Sequence, residues 1–330
     1  MFSKWVGESE QNTAAVFKLA KLCQPTIIFI GVTTGQSSIN HIFPRWAEAL
    51  GLGNCALRGL DFRLHDEPSR YREALDAIKC DPLVRGALVT THKIDLCSAC
   101  RDQFDVLDPL SAAMGEISSI YKRDGRLHGR AVDPWTVGLS LDAFLPPDHW
   151  RTTKAEVLIL GSGGSAMALA WHLSQVRHGE NRPARVHVAN RSWPRLNHLR
   201  ELHASWVGAT PLSCHLVPQP EQADALLATL PPGSMVVNAT GLGKDAPGSP
   251  LTDAAVFPEQ GWVWEFNYRG HLVFLDQARA QQAARRLHIV DGWTYFLHGW
   301  THVIADVFDV AIPSRGPLFD RLSEIAATPR

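Results

Sequence analysis

The chain has no apolar run long enough to cross a membrane. Its longest runs, such as Pro25 to Val32 and Val157 to Leu160, are strand-length, well short of the ~20 residues a spanning helix needs. Neither sign of charge is in excess: 32 Lys and Arg stand against 33 Asp and Glu. That balance excludes a general attraction to nucleic acid or to an anionic membrane, and leaves room only for a local basic pocket. The opening residues MFSKWVGESEQ lack an apolar core and a small-residue cleavage site, so no signal peptide is expected and the cytoplasm is the expected location. No internal repeat and no low-complexity segment is present. Of the six cysteines only Cys97 and Cys100 have metal-like or redox-like spacing. One CxxC without a second pair supports neither a zinc site nor a disulfide framework. The cysteines read as ordinary thiols, and no metal is expected.

What is present is an ordinary globular composition over 330 residues, enough for two domains. After a helical stretch at Ala14 to Leu22, strands are predicted at Ile27 to Val32, Ala56 to Leu60 and Ala87 to Val89. Helices are predicted at Pro44 to Leu50, Ser69 to Ile78, Leu96 to Phe104 and Pro109 to Met114. Ile117 to Tyr121 and Leu127 to Ala131, joined by Asp124-Gly125, read as a hairpin that delivers the chain to Asp133. In the second half, Val157 to Leu160, Val186 to Ala189, Met235 to Val237 and Trp262 to Phe266 read as buried strands. Ala166 to Leu173 and Tyr295 to Val310 read as helices. Continuous apolar strands alternating with helices predict a parallel sheet covered on both faces.

Gly161-Ser162-Gly163-Gly164-Ser165-Ala166 fits G-x-G-x-x-A between a strand and a helix, the context a dinucleotide turn requires. Gly161 allows the tight turn, Gly163 lets the backbone approach a pyrophosphate, and Ala166 lets the helix pack close to the strand. The helix N-terminus offers N–H groups and a partial positive charge to the phosphates. The second strand closes with Asn190-Arg191-Ser192, where an NAD site would carry a carboxylate for the ribose 2′-hydroxyl. No carboxylate is there, and Arg191 and Arg195 suit a 2′-phosphate, so NADP is the expected cofactor.

Five segments together resemble the shikimate/quinate dehydrogenase family, over about Phe29 to Val307. They are the Gly161 turn, Asn190-Arg191-Ser192, Asn238-Ala239-Thr240-Gly241-Leu242-Gly243, Thr90-Thr91-His92-Lys93, and Asp124 to Gly129 followed by Asp133. The resemblance implies two α/β domains with a cleft between them. Residues 1–133 and 291–330 would form a substrate-binding domain, and 134–290 a Rossmann NADP-binding domain. It also implies reversible hydride transfer between NADP and a secondary alcohol on shikimate, quinate or a related hydroxylated cyclic acid, a step of aromatic amino acid biosynthesis. Lys93 would shuttle the hydroxyl proton and Asp133 would hold the hydroxyl. Ser37, Ser38, Thr90, Ser118 and His298 would contact the substrate.

The substrate end departs from the family pattern. Its Ser-x-Ser pair is here Ser37-Ser38-Ile39, the Asn expected in the lysine motif is Ala87, a second Asn is Ser118, and a Gln on the last helix is Gly299. The redox residues are retained while substrate recognition is rebuilt. A monomer or homodimer is expected. The alternatives are a non-catalytic NADP-binding regulator of the same fold and a related two-domain enzyme acting on a pterin or amino acid.

Overall fold

A computed structural model describes residues 25–327 of the chain. The expected helix at Ala14 to Leu22, and Cys23, lie outside the described residues. The chain divides into two compact units. The first holds the described residues up to Val132 and from Gly299 onward, and the second runs from Asp133 to His298. Asp133 and residues 291–298, assigned to the substrate domain by sequence, thus belong to the second unit. The reason is local: the Asp133 side chain bonds to Ser165 and Tyr295 of that unit.

The first unit is a six-stranded mixed sheet in the order β2-β1-β3-β5-β6-β4. Its strands are β1 (Thr26–Gly31), β2 (Ala56–Asp61), β3 (Val84–Val89), β4 (Val106–Leu107), β5 (Ser119–Arg123) and β6 (Arg126–Arg130). β1 is parallel to β2 and β3, and β5 and β6 form the expected antiparallel hairpin. Asp124 and Gly125 turn it with φ of 51° and 71°, the left-handed pair a two-residue hairpin demands. Every β1 residue is buried, because helices cover the sheet. Helix α1 (Ile39–Ala49) starts before the expected Pro44, which lies inside it. Proline favours a first turn, which makes it read as a start, but Ile39, Ile42 and Phe43 belong to the same buried face as Trp46. The side-chain amide of Asn40 clamps the incoming loop through the carbonyls of Thr34, Gly35 and Ser37. Helix α2 (Pro68–Cys80) and helix α3 (Lys93–Cys100) pack against each other.

The second unit has six parallel strands in the order β12-β11-β10-β7-β8-β9. They are β7 (Val157–Leu160), β8 (Val186–Asn190), β9 (Leu212–Leu216), β10 (Met235–Asn238), β11 (Trp262–Glu265) and β12 (His288–Val290). The order reverses at β7, which places β8 on one side of it and β10 on the other. Ligands of such sheets bind at the carboxyl ends of the strands around this reversal. Helix α5 (Asp133–Phe144) packs along helix α7 (Gly164–Leu173). Gly138 allows the close approach, since a Cβ there would collide with the imidazole of His172.

The C-terminal helix 317–327 is fastened to the first unit by the buried Trp46 indole, which donates to the Leu322 carbonyl at 2.8 Å. Trp46→Phe is expected to lower the unfolding free energy by about 1–3 kcal/mol, from one lost buried hydrogen bond and a small cavity. Urea titration measures it, and an unchanged midpoint would show that the indole bond contributes nothing.

Candidate active site

Gly161 sits at φ +105°, and a Cβ there would lie 2.7 Å from the Ala239 carbonyl oxygen and 3.0 Å from the Thr240 nitrogen. The glycine-rich turn and the Asn238-Ala239-Thr240 turn are therefore pressed together at the carboxyl ends of neighbouring strands β7 and β10. The Gly161 N–H also donates to the Ala189 carbonyl at 2.7 Å, tying the same turn to β8. At Gly163 the geometry is the reverse: a Cβ would meet nothing within 4 Å. Gly163 caps helix α7, whose first turn starts at Gly164, so open space lies against the backbone where anions bind. Ala166 is fully buried, as close helix–strand packing requires. The turn fits a pyrophosphate.

Ser162 is buried and donates to the Arg195 carbonyl at 3.1 Å. That bond pins helix α8 (Trp193–Ala204) to the glycine-rich turn and brings Arg195 beside it. Arg191 and Ser192 are exposed at the end of β8, and the Asn190 amide donates to the Ser192 carbonyl at 3.1 Å. A phosphate on a ribose there would meet exposed guanidinium with no carboxylate to repel it.

The Asn238 turn is held by a buried carboxyl that sequence reasoning missed. Asn238 donates to Glu265 Oε2 at 2.5 Å, and Asn267 donates to Glu265 Oε1 from both its backbone (2.8 Å) and its amide (2.7 Å). Asn238 Oδ1 in turn accepts from the Thr240 hydroxyl and N–H. Glu265 is completely buried, and that burial lifts its carboxyl from 4.5 to about 7, against the lowering effect of its donors and of Lys244. A glutamate in an apolar strand is the only sequence signal it left. Gly241 and Gly243 continue the turn at positive φ, and the Leu242 N–H donates to the Thr240 hydroxyl at 3.1 Å.

Asp133 begins helix α5 and is buried. Its Oδ2 accepts from the Ser165 hydroxyl at 3.0 Å and the Tyr295 hydroxyl at 2.6 Å, and those two hydroxyls lie 3.1 Å apart. Ser165 is in the first turn of helix α7, so this carboxylate is bonded to the dinucleotide turn itself. Tyr295 was predicted as a helix residue only. His298 is buried and ends the second unit.

In the first unit, Lys93 opens helix α3 directly after β3, and its carbonyl accepts the Ile117 N–H at 3.1 Å. The Thr90 hydroxyl donates to the Ile30 carbonyl at 3.1 Å. A Cβ on Gly31 would meet Thr90 Oγ1 at 2.9 Å and Thr34 Cγ2 at 3.1 Å, so the Thr90 segment and the loop carrying Ser37 and Ser38 meet at the end of β1. Ser37 is buried and Ser38 half-buried. The Ser118 hydroxyl bonds to backbone on both sides, accepting the Val132 N–H at 2.8 Å and lying 3.4 Å from the Arg130 carbonyl. A Cβ on Gly299 would meet nothing within 4 Å. Cys97 and Cys100 are free thiols buried in the apolar core with Leu96 and Ile120. Burial pushes them up to about 11 and 12, so both are held as neutral thiols. Among the described residues no group of three or more His, Cys, Asp or Glu could hold a metal ion. No described helix is long and apolar enough to cross a membrane.

These features define a two-unit α/β protein with a dinucleotide turn and a carboxylate bonded to it. No family model matches the chain. It is 31% identical over 205 residues to a shikimate dehydrogenase (NADP(+)) of Symbiobacterium thermophilum, spanning 61% of this chain and 64% of that relative. It is 30% identical over 276 residues to one of Methylobacterium radiotolerans, spanning 83% and 88%. The fold is that of the shikimate 5-dehydrogenase of Thermus thermophilus, with a TM-score of 0.64, 22% identity, and 92% and 98% of the two chains covered. The chain belongs to the shikimate dehydrogenase family.

Gly161→Ala must move either its own backbone or the Asn238 turn. A loss of about 1–3 kcal/mol is expected from the disallowed φ alone, with NADPH binding lost. Urea unfolding and NADPH fluorescence test it, and wild-type values in both would contradict the close approach.

Two buried groups give opposite pH trends. Folded Glu265 keeps a proton that the unfolded chain releases between pH 4.5 and about 7, so its contribution falls as pH rises through that window. Burial pushes His172 down from 6.5 to about 3, helped by His178 and Arg177, so its contribution rises between about 3 and 6.5. Subtracting Glu265→Gln from wild type isolates the carboxyl. That difference in unfolding free energy should fall by on the order of 3 kcal/mol from pH 4.5 to 7, and a flat difference would refute it.

Proposed function

We propose that this chain is an NADP-dependent dehydrogenase that oxidises a secondary alcohol of shikimate, quinate or a related hydroxylated cyclic acid, reversibly. The observation that carries the reading is the Asp133 carboxylate, buried and hydrogen-bonded to Ser165 in the first turn of the dinucleotide helix. A buried carboxylate fixed beside that turn is a hydrogen-bond acceptor held next to a bound cofactor, as an alcohol substrate requires. Similarity supports the same reading: the relatives are named shikimate dehydrogenase (NADP(+)), and the Thermus thermophilus structure is in complex with NADP(H) and shikimate.

The Gly161–Ala166 turn would hold the pyrophosphate, Arg191 and Arg195 the 2′-phosphate, and the Asn238–Leu242 turn the nicotinamide half. Held there, NADP would supply the hydride acceptor for oxidation and, in its reduced form, the hydride donor for reduction. Lys93 takes the hydroxyl proton on its Nζ in oxidation and gives it back in reduction. Asp133 accepts a hydrogen bond from a hydroxyl of the ring and orients it. Ser37, Ser38, Thr90, Ser118 and His298 remain the proposed substrate contacts, with the Ser118 hydroxyl already engaged by backbone.

An NADP+-reduction screen over shikimate, quinate, aminoshikimate and simpler hydroxy acids tests the reading. Turnover of at least one cyclic acid is expected, and tight NADPH binding without any turnover would sink it. Lys93→Ala should lower kcat by about 100-fold or more, the scale of one proton-transfer group, while NADPH affinity stays within about threefold. Arg191→Ala should raise the KM for NADP+ about tenfold, one charge-assisted contact being worth about 1.5–3 kcal/mol, and leave that for NAD+ unchanged. Equal effects on both cofactors would remove Arg191 from the 2′-phosphate site.

A further inference from the structure

Tyr295 stands near the start of helix α11 (Trp293–Phe308), where its ring packs 5.0 Å from Phe266 and meets Trp264 edge-on at 6.3 Å. Those two residues flank Glu265, which points the other way to hold the Asn238 turn. The end of β11 thus presents an aromatic seat for Tyr295 on one side and the carboxyl that fixes the nicotinamide-side turn on the other. From that seat the phenol reaches Asp133 Oδ2 at 2.6 Å. That length is typical of a hydroxyl donating to an ionised carboxylate, a bond about twice as strong as a neutral one. Ser165 completes a three-membered ring of contacts at 3.0 and 3.1 Å. Two donors on the same oxygen, from helices α7 and α11, fix one orientation.

We propose that Tyr295 is a positioning residue for Asp133, locking the carboxylate to the dinucleotide turn through Ser165 so that cofactor and substrate hydroxyl are held in one register. The inference rests on the dehydrogenase reading and deepens it. Positioning of a reacting group to within a fraction of an ångström governs the chemical step more than ground-state binding. Removing the phenol should therefore act on kcat and only weakly on KM. Tyr295 acts through Asp133, so its effect must vanish once the Asp133 charge is gone.

The test is a cycle of Tyr295→Phe, Asp133→Asn and the double variant, assayed for NADPH binding and for turnover of the best acid from the screen. Phenylalanine keeps the ring against Phe266 and Trp264, and NADPH affinity within about twofold of wild type reports an intact fold. Tyr295→Phe should lower kcat about tenfold with the KM of the acid changed less than threefold. The double variant should be no slower than Asp133→Asn alone. A Tyr295→Phe enzyme with wild-type kcat overturns the inference, as does a double variant whose loss equals the product of the two single losses. In both cases the wild type remains an active dehydrogenase, so the functional reading survives. A wild type that binds NADPH but turns over no cyclic acid overturns that reading and this inference with it.

Discussion

Gly161 and the Ala239-Thr240 peptide occupy space that no side chain could share, and this approach sets the geometry of the second unit's carboxyl edge. A parallel sheet brings strand ends together, but it does not by itself bring the following turns within contact. Here the contact is backbone to backbone, so the two turns cannot be adjusted by rotamer changes. Each must be held from behind. β8 holds the first through the Gly161 N–H, and Ser162 fastens it to helix α8. The second turn needs the buried Glu265, because Asn238 must present its Oδ1 to Thr240 and therefore needs an acceptor for its amide N–H. An unpaired buried amide would cost about 1–3 kcal/mol. A carboxyl able to accept from three donors is the compact answer, and its raised proton affinity is the consequence of where it must sit.

Asp133 follows from the same constraint. Helix α7 must begin immediately after Gly163, and Gly138 lets helix α5 lie close along it. The first residue of α5 then falls beside the second residue of α7. That is why a residue far from the glycine motif in sequence is bonded to it in the fold. A carboxylate at the start of a helix is favoured by the helix dipole, and here two helix N-termini stand close to one carboxylate.

What could be read from the residues was local. The Gly161 motif, the Asp124-Gly125 hairpin and the apolar strands β7 and β10 each carry their signal within a few neighbours. The start of helix α1 is not legible locally, because Pro44 imitates a first turn while the packing of Ile39 and Ile42 carries the helix back to Ile39. Glu265 and Tyr295 left no local mark. A glutamate in a strand and a tyrosine in an apolar helix acquire meaning only from partners 27 and 162 residues away. The unit boundary moved to include Asp133 and 291–298 for the same reason, since those contacts are invisible to composition or periodicity.

The altered substrate end gains a physical reading from Ser118. Its hydroxyl accepts the Val132 N–H, and its own N–H donates to the Arg130 carbonyl at 3.0 Å, so it closes the strand end that leads into Asp133. Ser118 thus ties the backbone on both sides of the turn before the carboxylate. Gly299 acts in the opposite sense, since the space beyond its Cα is open. A glycine inside a helix costs about 1 kcal/mol relative to alanine, and no close packing compensates here.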